Sequence, residues 1–409
     1  MGEIEQEFFG KEYSENMKKK FWIFAALALV LAVGAIVAAA MGPYDARGLE
    51  YVVNEDGATC TITGVGSCRA RKVHIPEYLD GYRVTAIGKN VFYNYGISKK
   101  DAEQHRGNSK LKEVTIPDSV TVIGSGAFYG CNQLKSVKLP SGLQTLGTAA
   151  FYHCTGLRDV VLPDTLQNLG EAAFYNCQSL EIITIPDSIT KIGQGMFYDC
   201  KALKEIHFSD DVTEIGNLAF YGCASLQEMS IPDGVTEIAD WLFAHCASLK
   251  KLTLPDGITR IGERAFSSCV SLEEIRIPSG VTEIKNHAFY ECKKLTSVTV
   301  PDSVEKLGVY AFSDCLTLAS VNLSRSMTEL GDRTFDGCIA LQTLTVPASV
   351  QKLGVALLAS SGIKTLSFEG TVSQWNAMEK NDNWHAVTAL KEIVCSDGTV
   401  AIRSETADS

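Results

Sequence analysis

Thirteen cysteines in 409 residues are the side chains of this chain with the most obvious chemical potential. In a short secreted chain that number would read as a disulfide framework, and sulfur ligands in tetrahedral sets hold zinc. The spacing argues against both. Cys131, Cys154, Cys177, Cys200, Cys223, Cys246, Cys269, Cys292, Cys315 and Cys338 recur every 23 residues, and each follows a Phe by three positions. One cysteine per structural unit gives a column with a step of ~4.8 Å, the spacing of stacked strands, whereas disulfide Cβ atoms lie ~3.8 Å apart. Beside a recurring Phe these cysteines read as small buried hydrophobes. Cys60 and Cys68 stand outside the register, and a short hairpin could join them, so they are the candidate disulfide.

The other chemistry-bearing residues are scattered. Of the seven histidines, His153 and His245 share a repeat position but lie four units apart, of order 19 Å at the strand spacing. No zinc set follows. Asp164, Asp187, Asp233 and Asp256 recur after Pro. A column of acids could hold calcium, but turn formation accounts for Asp at that place. No phosphate-binding loop, nucleophile elbow or zincin helix occurs. The reading is therefore no catalytic residue, no metal and no cofactor.

The elements that position these residues repeat with the same period. Phe128, Phe151, Phe174, Phe197, Phe220, Phe243, Phe266, Phe289, Phe312 and Phe335 are each 23 residues apart. In the unit beginning at Ala127, Leu134, Val137 and Leu139 make an L-x-x-V-x-L strand whose alternate residues, Ser136 and Lys138, face outward. A Pro-led turn follows, then a second short apolar stretch such as 235–238, usually ended by Gly as at Gly124, Gly147 and Gly170. The small-Ala-Phe-x-x-Cys piece reads as a short helical turn. No unit buries its own apolar edge, so units stack into one continuous core. The expected fold is an α/β leucine-rich-repeat solenoid of 23-residue units, about twelve coils and of order 55 Å long. Residues 50–92 read as an N-terminal cap and first degenerate repeat, 93–110 as an insertion loop and 111–362 as the array. Residues 363–409, with Trp375 and Trp384, read as a capping repeat and tail.

Before the array, residues 21–42 carry no charge, a run long enough to cross a ~30 Å hydrocarbon layer as a transmembrane helix. Lys18, Lys19 and Lys20 precede it, which puts the 1–20 tail in the cytoplasm and the repeats outside, after a short linker at 43–49.

The pattern AF-x-x-C-x-x-L-x-x-(V/I)-x-(I/L)-P from about residue 70 to 357 resembles the BspA-type leucine-rich repeat of bacterial and protist surface proteins. The resemblance implies a horseshoe or gently twisted solenoid, a role in adhesion to matrix proteins or cell-surface partners, and no catalytic residues to carry over. Ser209 and Ser324 depart from its Pro, and Ala239 and Lys285 from its Gly.

A net charge of -11 leaves no basic face for nucleic acid. The expected partner is a protein or glycan at the cell surface, and the expected function is membrane-anchored binding or adhesion without catalysis. The alternative is a structural or sensory envelope scaffold that holds a partner of the same cell. Outward strand positions vary most in the central coils: Glu205 and His207, Glu228 and Ser230, Lys251 and Thr253, Glu274 and Arg276. These form the first candidate binding strip. Tyr129, Tyr152, Tyr175, Tyr198 and Tyr221, each following a core Phe, form the second. A self-stacking column explains the tyrosines without a ligand.

Overall fold

The computed structural model describes residues 48–68, 70–94, 110–381, 383–385 and 389–402. They form a β-solenoid of about 14 turns. Each regular coil contributes two short strands and one turn, all stacked on their counterparts one period away. In the coil of Phe220 the strands are Glu205–His207 and Glu214–Ile215. Each pairs in parallel with the coil before it, Ile206 opposite Ile183 and Glu214 opposite Lys191. The first strand shows its outer residues to solvent and turns its middle residue inward, as Glu228–Ser230 does around buried Met229. A parallel neighbour needs a long crossover, and here the rest of the coil is that crossover.

The third edge of the coil departs from expectation. The Phe128 N–H donates to the Ala150 carbonyl of the next coil (2.8 Å), flanked by Gly126 to Thr148 (2.9 Å) and Gly130 to Tyr152 (2.7 Å). The intervening N–H groups of Ala127, Tyr129 and Cys131 bond back within their own coil. This alternation rests on two left-handed residues per coil, two before and two after the Phe, such as Ala149 and His153 (φ 55° and 57°) or Trp241 and His245 (φ 61° and 62°). A right-handed helix cannot run through such residues. The short helical turns expected here are therefore absent, and the fold is a β-solenoid and not an α/β array. Among the described residues the one α-helix is Val372–Ala377, in an atypical C-terminal coil, started by a Thr371–Gln374 capping box.

The transmembrane helix expected at 21–42 lies outside the described residues, as do the 1–20 tail, most of the 43–49 linker and nearly all of the 93–110 loop. Among the described residues no helix is long and apolar enough to cross a membrane. Among the described residues the fold is the solenoid alone, and the expected preceding helix is no part of it.

Eleven Phe rings, Phe92 to Phe335, run through the centre, each fully buried. Successive centroids are 5.0 to 6.0 Å apart and the planes agree within 14°. Beside them each thiol donates to the Phe carbonyl of the preceding coil, as Cys154 does to Phe128 (3.1 Å) and Cys246 to Phe220 (3.1 Å). The repeat cysteine is thus a buried inter-coil donor as well as a small hydrophobe. No disulfide joins any of the thirteen cysteines, and all are buried. The bridge expected between Cys60 and Cys68 is not formed: strand Thr59–Gly64 carries the Cys60 side chain into the core, where Sγ faces the Tyr82 carbonyl at 3.8 Å.

Both ends are closed. Glu50–Val53 pairs antiparallel with Thr59–Gly64, and Gly398–Ala401 with Glu392–Cys395. Trp375 and Trp384 are buried edge-to-face (5.7 Å), with Trp375 against Phe368 (5.4 Å). Phe220→Ala should cost about 3–5 kcal/mol, because the flanking rings cannot close the gap. Urea unfolding of the chain measures this, and Phe220→Leu should cost distinctly less.

Candidate interaction surface

All eight residues of the central strip are exposed. Glu228 lies opposite Lys251 and Ser230 opposite Thr253 in the strand register. Glu205 and His207 sit 3.6 Å apart on one strand. Glu274 and Arg276 lie in a coil whose first segment forms no strand, and Arg276 reaches Asp256 at 2.7 Å. Sequence reasoning missed two residues at the N-terminal border of this strip, Val161 (80% exposed) and Ile182 (50% exposed). Apolar side chains this open, at positions that are polar in most coils, are the informative kind of exposure. Their signal was legible as Val and Ile at outward strand positions.

The tyrosine stripe is a packed column. Centroids from Tyr129 to Tyr221 step by 4.5, 4.3, 4.2 and 4.4 Å with planes within 12°. Tyr152 is 2% exposed, and Tyr175 and Tyr198 are buried with it against Ala149 and Ala172. Burial pushes the Tyr175 and Tyr198 hydroxyls well above the usual phenol range. Of the five, Tyr129 and Tyr221 are part-open, and part-open Tyr93 continues the column beyond Tyr129 at 4.8 Å.

Where the tyrosines stop, a neighbouring column takes over. Residues two before the Phe are small as far as the Phe197 coil (Gly126, Ala149, Ala172, Gly195), and Leu218 stands with Tyr221. They become Trp241, Arg264, Tyr310 and Arg333 where the tyrosine position turns to Ala244, Ser267, Ser313 and Asp336, while His287 stands with Tyr290. Arg264 lies over the Trp241 ring at 4.6 Å and His287 stacks on Tyr310 at 4.9 Å. The two columns fill one groove by turns, which is visible only once the coil geometry places them side by side.

On the second strand face, Glu237, Arg260, Glu283, Lys306, Glu329, Lys352 and Glu379 occupy successive in-register positions with alternating sign. Arg260 bridges Glu237 (3.3 Å) and Glu283 (3.4 Å), and Glu329 bridges Lys306 and Lys352 (both 3.3 Å). Burial works to raise the Glu329 carboxyl, but the two lysines outweigh it and hold the group below its usual value. Such exposed pairs are worth ~0.2–1 kcal/mol each. A shallow groove of about 580 Å³ runs along this ladder, with Asn286 and Asn381 on its walls. Its charges are largely spent on one another. The 23-residue step of alternating charge was readable in the sequence.

The remaining chemistry is structural. Burial pushes the repeat thiols up, to about 12 at Cys269 and Cys338, so at neutral pH they are protonated donors. Two acids that follow Pro cap the next coil's turn: Asp118 accepts from the Ser141 N–H (3.0 Å) and Asp302 from the Arg325 N–H (2.8 Å). Among the described residues no three His, Cys, Asp or Glu side chains converge on a point that could hold a metal.

Comparison with known proteins agrees with this architecture. Residues 101–223, 191–319 and 259–380 match the BspA type leucine rich repeat region, in six copies. A leucine rich cell surface protein of Faecalibacterium prausnitzii A2-165 is 28% identical, with 86% of this chain and 100% of that one covered at a TM-score of 0.57. A leucine-rich repeat protein of Bacteroides ovatus is 23% identical over the same shares at a TM-score of 0.62. The pneumococcal vaccine antigen PcpA is 20% identical, covering 90% of this chain and 89% of that one at 0.50. The last two show likeness of fold. No curated protein matches the chain in sequence.

Burial between Tyr152 and Tyr175 holds His153 neutral and brings its pKa from 6.5 down to about 4. Between these values the unfolded chain binds a proton that the folded chain does not, so stability falls as pH drops through that window. The loss should reach of order 2 kcal/mol once partial solvent screening is allowed for. His153→Asn, the residue found at the same place as Asn176, should flatten the dependence. Urea midpoints of both proteins from pH 7 to pH 4 check it.

Proposed function

The chain belongs to the BspA type leucine rich repeat family, and on that footing we propose that it is a non-catalytic binding protein of the cell surface. It displays its first strand face to a protein or glycan partner and serves adhesion. One observation carries the reading: the central strip offers eight exposed side chains of varied chemistry on consecutive coils, while the core leans on the buried residues between them. Val161 and Ile182, at the N-terminal border of the strip, add exposed apolar surface beside its polar side chains. The buried tyrosines support this face over the tyrosine edge. Both charge signs are present in the strip, so binding should depend only moderately on salt.

Attachment to the membrane is supported by the uncharged run of residues 21–42 behind Lys18, Lys19 and Lys20. A second reading, an envelope scaffold that holds a partner of its own cell, is favoured by the short 43–49 linker, which at no more than ~3.5 Å per residue keeps the array near the membrane.

Two experiments test these readings. The chain is screened against immobilised matrix proteins, glycan arrays and an envelope extract of its own organism. Replacing Glu205, His207, Lys251 and Arg276 together should then weaken the best binder at least tenfold with unfolding unchanged. Unchanged affinity in that variant, with loss in Val161→Asp/Ile182→Asp, would move the site to the N-terminal border. Protease added to intact cells should remove the repeats; full protection would refute surface exposure.

A further inference from the structure

The bonds that join one coil to the next are unevenly spread. At most boundaries at least one strand ladder is continuous. At two boundaries neither is. Between the Phe174 and Phe197 coils, Asp159–Val160 is not paired with Ile182–Thr184, nor Asn168–Leu169 with Lys191–Ile192. Between the Phe220 and Phe243 coils, Glu205–His207 is not paired with Glu228–Ser230, nor Glu214–Ile215 with Glu237–Ile238.

What remains at these boundaries lies mainly on the turn edge. Ala172, Phe174 and Asn176 donate to Gln194, Met196 and Tyr198 at the first, and Leu218, Phe220 and Gly222 to Asp240, Leu242 and Ala244 at the second. The thiols of Cys200 and Cys246 bond across as elsewhere. The corner after the turn adds Ser179 Oγ to Thr155 and the Ser225 N–H to Lys201, and two side chains take part in others, Ser188 Oγ donating to Leu166 and Asn217 Oδ1 accepting from the Asp240 N–H. Coils held on one edge and released on the other two can rotate about the held edge.

At the first boundary the turn edge carries the closest step of the tyrosine column, Tyr175 to Tyr198 at 4.2 Å. The second opening has a visible cause. At the second, the 23-residue step sets Glu205 against Glu228 on one face and Glu214 against Glu237 on the other. Like charges directly opposite destabilise strand pairing. Ion-pair partners also hold two of these carboxylates on their own sides: Lys191 takes Glu214 (2.7 Å) and Arg260 takes Glu237 (3.3 Å). Paired boundaries instead set opposite charges together, as Lys191 with Glu214, Glu228 with Lys251 and Glu237 with Arg260.

We infer that the two coils of residues 180–223 form a segment hinged at both ends on the turn edge, with the second joint held open by facing like charges on both strand faces. Glu205 and His207 lie on one side of that joint and Glu228 and Ser230 on the other, so the joint sets the spacing within the outward strip. This holds whether or not the strip binds anything.

Hydrogen–deuterium exchange of the full-length chain tests the inference with internal comparators. Amides of Thr259 and Gly262 donate to Thr236 and Ile238, and those of Thr213 and Gly216 to Thr190 and Ile192. The equivalent amides at the joints, Thr236 and Ala239 at the second and Thr190 and Gly193 at the first, have no such bond. The joint amides should exchange at least tenfold faster than the comparators at low ionic strength. Raising the salt should slow Thr236 and Ala239 severalfold, and E205Q/E214Q should slow them equally without salt. Protection at the joints equal to that of the comparators overturns the hinges. Fast exchange at Thr236 and Ala239 that ignores both salt and E205Q/E214Q overturns the like-charge cause.

Discussion

A 23-residue coil cannot bury its own apolar edge, and the rest of the structure depends on how neighbours solve this for one another. The solution is identity of position: Phe on Phe, thiol on the preceding Phe carbonyl, strand on strand in register. Every buried side chain is covered by its own counterparts above and below. Stability is therefore shared between neighbours, and the two ends need the antiparallel hairpins and the tryptophan coil to close them.

The same constraint separates the positions that stacking fixes from those it leaves open. On the first strand the middle residue is committed to the core and its two neighbours are free, which is why varied chemistry collects there. On the turn edge freedom is smaller. Two left-handed residues per coil let alternate N–H groups reach the next coil, and that bonding fills the role a helix was expected to play. Bulky residues such as Trp241 and Tyr310 accept a left-handed backbone there (φ 61° and 57°) because they fill the groove that the tyrosines leave.

Stacking also turns a one-dimensional charge pattern into a contact pattern. A residue and its counterpart 23 positions on become neighbours, so alternating signs from Glu237 to Glu379 tie the C-terminal coils together. Repeated signs at Glu205/Glu228 and Glu214/Glu237 coincide with open ladders.

The period, the inward Phe, Cys and Leu, the outward strand residues and the family were legible in the amino-acid order, because a strict repeat maps position directly onto environment. The alternating charges were legible too, had the period been applied to them. Three things were decided only by the folded chain. The Ala-Phe-x-x-Cys piece became a left-handed-interrupted turn, since its spacing suits a helical turn equally well until bonds to the next coil are available. The tyrosines were buried, because their exposure depends on the small residues three positions earlier in each coil, across the groove. Cys60 stayed unbridged, since strand pairing with the following coil, and not proximity in sequence, set the direction of its side chain.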